Sequence, residues 1–70
     1  MEINTIIGRR VKKYREKSCL SREELGLKIG KNQAAIAKIE EGRYKRLTLF
    51  LLFEIVDALD CDFKEFIKGL

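Results

Sequence analysis

The side chains that make and break covalent bonds are scarce in this sequence. It has no histidine, two cysteines (Cys19 and Cys61), and no serine or cysteine beside an obvious base. The usual proton acceptor and an activated nucleophile are therefore both missing. Two thiols without histidine fall short of the four Cys or His ligands of a closed zinc site, and no metal or cofactor is expected. We read the chain as not an enzyme. What remains is non-covalent chemistry: hydrogen bonding and ion pairing by Arg22, Asn32, Gln33, Lys38, Arg43, Lys45 and Arg46. Residues 1–46 carry thirteen basic and six acidic side chains, whereas residues 47–70 carry two and five. A basic front and an acidic back suit a domain that turns one face to phosphate. Charge alone also fits a merely soluble protein.

The elements that must position these residues are short helices. The chain has 70 residues, a mass of 8.2 kDa and a pI of about 9.3, room for one domain over residues 1–70 with a marginal core. It has no proline, no repeat and no sustained apolar/polar alternation, so the expected class is all-α. Ile3, Ile7, Val11 and Tyr14 mark a first helix from about Asn4 to Lys17. Ser21-Arg22-Glu23-Glu24 has the form of a capping box and opens a second helix, with Leu25 and Ile29 on its apolar face and Gly30 at its end. Asn32 caps a third helix that runs to about Glu40 and stops near Gly42. Thr48 caps a fourth, whose expected buried stripe is Leu49, Leu52, Ile55, Val56 and Leu59. Asp62-Phe63-Lys64-Glu65 resembles another capping box and opens a short fifth helix.

The most specific stretch is Arg22 to Glu41. Gly26 is small where two short helices must approach, Gly30 tolerates the left-handed turn between them, and Leu25, Ile29, Ile36 and Ile39 seat the pair on the core. This is a helix-turn-helix pattern over about residues 22–41. Residues 7–59, about three-quarters of the chain, resemble the phage repressor/Cro family through Ile-Gly-Arg-Arg-Val, Ser-Arg-Glu-Glu-Leu, Ile-Ala-Lys-Ile-Glu-Glu-Gly and Val-Asp-Ala-Leu. The resemblance implies a compact five-helix domain that binds operator DNA, usually as a homodimer, with the third helix in the major groove.

The third helix agrees with that expectation. At 100° per residue, Gln33, Ala34, Ala37 and Lys38 share the arc opposite Ile36 and Ile39. Gln33 suits adenine N6/N7 and Lys38 suits guanine O6/N7, while Ala34 or Ala37 suits a thymine methyl. Outside this motif the same face would read as solvated surface. Arg22 and Asn32 match family positions that hold the DNA backbone, and Arg43, Lys45 and Arg46 fall in a loop where the family also contacts phosphate. Tyr44, in the same loop, either bonds a phosphate or packs. The first-helix cluster Arg9, Arg10, Lys12 and Lys13 reads as a solvated face. Arg15 and Glu40 correspond to an ion pair the family often places behind the motif, with Arg10 an alternative partner. Three departures from the family pattern stand out: Arg22 for a frequent Gln, Gly26 for the usual Ala, and Cys19 for a common Gly, the last implying mild backbone strain.

The fourth helix is more apolar than one buried stripe requires. Phe50 and Leu51 stand where the family commonly has polar residues, and we expect them, with Ile67 or Leu70, to form a patch for a symmetric dimer. The alternative is a shifted helix that buries them all. The expected function is a sequence-specific transcriptional regulator of double-stranded DNA, a repressor acting as a homodimer. The competing reading is an antitoxin-type module that binds a protein partner through the fourth helix, with DNA binding secondary. No apolar run reaches membrane length and no signal peptide is visible at Met1, so the cytoplasm is the expected location.

Overall fold

The computed structural model describes residues 2–70. Five helices follow one another: α1 (Ile3–Lys17), α2 (Arg22–Lys28), α3 (Gln33–Glu40), α4 (Leu49–Ala58) and α5 (Phe63–Ile67). There is no strand among the described residues, and the all-α expectation holds. The caps form where the sequence placed them. Ser21 Oγ accepts from the Glu24 amide at 3.0 Å, and the Ser21 amide donates to Glu24 Oε1 at 2.8 Å. Asn32 Oδ1 accepts from the Ala35 amide at 2.8 Å, and Thr48 Oγ1 from the Leu51 amide at 3.1 Å. The second box forms only in part: Asp62 Oδ1 accepts from the Lys64 amide at 3.3 Å, with no return bond from Glu65.

Helices α1 to α4 end in one way. Beyond each, the amide two residues past the C-cap turns back to a carbonyl of the last turn: Leu20 to Arg15, Lys31 to Gly26, Arg43 to Lys38 and Cys61 to Val56, at 2.8–3.3 Å. This Schellman geometry needs a left-handed residue in between. Gly30 supplies it after α2 with φ +72°, but Cys19 (φ 58°) and Asp60 (φ 53°) occupy the same conformation with a side chain attached. The strain expected at Cys19 is thus present.

Val11, Leu25, Ile36, Ile39, Ile55 and Phe66 are fully buried at the centre, drawn from all five helices. Two glycines allow helices to touch backbone to backbone. A Cβ on Gly26 would stand 2.6 Å from the Lys31 carbonyl oxygen, so α2 meets the start of α3 only without a side chain there. Gly8, unremarked in the sequence, does the same at the other end of α3. A Cβ there would lie 2.3 Å from the Ile39 carbonyl oxygen. Helix α3 is therefore clasped near both of its ends.

The fourth helix corrects two expectations. Leu51 is buried at 5% exposure and belongs to the core, whereas Leu49, expected inside, is exposed. The reason is rotation about the helix axis. Leu51, Ile55 and Leu59 fall at i, i+4 and i+8 and line the buried arc with Leu52 and Val56, and Leu49 lies beyond its edge. Phe50, at 73% exposure, stays on the surface as expected. Phe53 is also exposed, its ring 4.5 Å from that of Phe63. Arg10 also differs from expectation: its Nη1 donates to the Phe66 carbonyl at 2.7 Å, which ties α1 to α5.

Candidate nucleic-acid interface

Helix α3 exposes the side chains its pattern assigns outward. Gln33, Ala34 and Lys38 are exposed and Ala37 is half-buried, while Ile36, Ile39 and Glu40 are covered. The outward face is thus narrow and low, with a carboxamide near one end and an ammonium near the other. None of the described residues covers Gln33 or Lys38.

Around this face the cations gather unevenly. Lys38 shares an open pocket with Arg43, Tyr44, Lys45 and Arg46, so the outward lysine of α3 and the loop that follows the helix form one basic surface. Lys31 Nζ stands 5.8 Å from the centre of the Tyr44 ring, a cation–π contact that sequence reasoning missed and that ties the loop to the turn before α3. Tyr44 is half-buried and serves at least this packing role. Arg43 pairs with Glu41 on the surface, its Nε 2.9 Å from Oε1. Glu41 sits below the ordinary glutamate value mainly because Arg43 donates to it, with a smaller pull from Arg22. Such an exposed, solvent-screened pair is weak and exchangeable. Asn32 uses Oδ1 as a helix cap, which leaves its amide nitrogen free to donate outward.

Behind the face lies the ion pair expected between Arg15 and Glu40. Arg15 Nε donates to Glu40 Oε2 at 2.6 Å and Nη2 to Oε1 at 3.3 Å, and Nη1 donates to the Leu20 carbonyl at 2.8 Å. This bonding, Glu40 first, raises the Arg15 pKa above its already high value. Arg10 is not the partner. Arg22 joins instead, its Nε 3.0 Å from Glu40 Oε1, a link not read from the sequence because Arg22 departs from the family pattern, which often has Gln there.

Two short helices that meet at Gly26 and Gly30, with the second presenting a polar-tipped face beside a basic loop, form a helix-turn-helix unit. A family model described as helix-turn-helix, of the Cro/C1 type, matches residues 11–66, four-fifths of the chain. The chain belongs to this family. No match was found among curated proteins. As a Cro/C1-type helix-turn-helix protein it is a DNA-binding transcriptional regulator of double-stranded DNA, and the family is regulatory, not enzymatic. No helix of the described residues is long and apolar enough to cross a membrane. Among those residues, no group of three or more His, Cys, Asp or Glu is placed to hold a metal ion.

Proposed function

We propose that this protein is a sequence-specific repressor that inserts α3 into the major groove and acts as a homodimer. Gln33 and Lys38 read base edges, and Ala34 and Ala37 permit close approach. Arg22, Asn32, Arg43, Lys45 and Arg46 hold the phosphates on either side. The observation that supports this reading best is the uncovered face of α3 flanked by the basic loop. Two copies related by a two-fold axis place their α3 helices about one turn of DNA apart, on a roughly palindromic site.

The test is selection of sites from random duplex DNA at moderate salt. An enriched inverted repeat is expected, with a half-site preference that changes in Gln33→Ala or Lys38→Ala. Uniform, salt-sensitive binding without enrichment would count against the reading. Such a result would favour the second one, an antitoxin-type module that docks a protein partner on α4. That alternative draws support from the exposed Leu49, Phe50 and Phe53.

A further inference from the structure

Glu40 has 1% side-chain exposure and faces arginines from two helices. Arg15 is 8% exposed and all three of its guanidinium nitrogens are engaged, two by Glu40 and one by the Leu20 carbonyl. It belongs to the core. Arg22 is arranged differently. Its Nε donates to Glu40, 32% of its side chain remains open to solvent, and neither terminal amino group donates to another of the described residues. Glu40 is already neutralised by Arg15, so the three groups together keep one surplus positive charge, and it sits on Arg22 at the surface. Arg22, the first residue of α2, reaches the C-terminal end of α3, where it bonds Glu40 and its charge acts on Glu41, the residue that pairs with Arg43 of the basic loop.

We propose that Glu40 is a positioning residue for DNA: it grips the Nε edge of Arg22 and so aims the free terminal amino pair at a backbone phosphate. The inference rests on the DNA-binding reading above. A guanidinium is planar with its donors in a fixed fork, so fixing Nε sets the plane of the whole group. A free arginine gives up rotamer freedom when it meets a phosphate, and Arg22 has given up much of it beforehand. A phosphate on the terminal pair does not strand Glu40, which keeps Arg15 at 2.6 Å. One carboxylate thereby serves both the stability of the fold and the aim of a backbone contact.

The experiment measures affinity for a random-sequence duplex by fluorescence anisotropy over a salt series, with folding followed by circular dichroism. The variants are Arg22→Lys, Arg22→Gln, Glu40→Gln and the double Arg22→Gln/Glu40→Gln. Arg22→Lys keeps its charge, hence its salt slope, yet binds roughly five- to tenfold more weakly, because one ammonium cannot serve carboxylate and phosphate with a fixed fork. Arg22→Gln also reduces the slope of log K against log[salt] by about one. Glu40→Gln weakens binding beside Arg22 and has no further effect beside Gln at position 22. Equal losses in both backgrounds, or wild-type affinity in Arg22→Lys, overturn the proposal while leaving DNA binding intact. If Glu40→Gln does not fold, the Arg22→Lys result decides alone. A wild-type protein that binds no duplex at low salt overturns the DNA reading itself, and this inference with it.

Discussion

Glu40 and Gln33 sit seven residues apart on one helix and differ in what their loss exposes. Removing the Glu40 side chain leaves Arg15 buried without a counter-charge, and stranding such a group costs about 3–5 kcal/mol. Removing Gln33 uncovers nothing, because it faces solvent. In thermal melts, Glu40→Ala is expected to lower Tm by tens of degrees, at roughly 4–8 °C per kcal/mol for a domain this small, and Gln33→Ala by a few degrees at most. Equal shifts would show that the pair is not the support it looks to be. At this scale the sequence was legible where a residue acts on its own neighbours. Ser21, Gly30, Asn32 and Thr48 do their work within three or four positions. The resemblance carried the distant Arg15–Glu40 pair, but not Arg22, whose partner also lies outside its neighbourhood and whose place in the family pattern is often held by Gln. Gly8 carried a signal that went unused: glycine inside a helix is locally unfavourable, and close packing against another backbone is one reason to keep it.

The helix ends carry their own energetics. All five are followed by a left-handed residue, and those after α2, α3 and α5 are glycine, at positions 30, 42 and 69. Cys19→Gly relieves the side-chain clash at φ 58°, and we expect a gain of roughly 0.5–1 kcal/mol in urea denaturation, reduced from the full strain by the freer unfolded chain. A loss of stability would mean the thiol packs usefully. At the start of α2, Glu24 lies below the ordinary glutamate value, first because the Ser21 amide donates to its carboxylate. A folded-state value below the unfolded one adds stability above the unfolded pKa, and that increment fades as pH falls through the folded one. The stability difference between wild type and Glu24→Gln should therefore be constant near neutrality and shrink on acidification through the carboxylate range; a difference that grows in acid would contradict the assignment. The register of α4 shows where element-scale reading stopped. Its composition called for a buried helix, but seven of the first eight residues are apolar, so periodicity left its rotation undetermined and packing against the other helices chose Leu51 over Leu49.

For the molecule as a whole, the proposed homodimer rests on the apolar surface of α4. Leu49, Phe50 and Phe53 are exposed on the same side of the helix, and Phe53 continues onto Phe63. Phe50→Glu leaves every core residue in place, so the helical circular dichroism should persist. In sedimentation we expect wild-type dimer at micromolar concentration and monomer for this variant, with weaker binding to an inverted repeat. A monomeric wild type would refute the dimer. Salt titration of the wild type should give a slope of about −4 to −5, the release expected for roughly four to six neutralised phosphates, and a much shallower slope would mean that the loop cations face solvent only.

The two backbone contacts that clasp α3, at Gly26 before its start and at Gly8 beside its end, have a practical consequence. The seat of this helix is made of those backbone contacts and of the inward side chains Ile36, Ile39 and Glu40, not of the residues that face outward. The exposed positions 33, 34 and 38 are thus mechanically decoupled from the scaffold. A combinatorial library at those three sites inherits an unchanged cradle, and the domain can be retuned toward new duplex sequences without rebuilding what holds it upright.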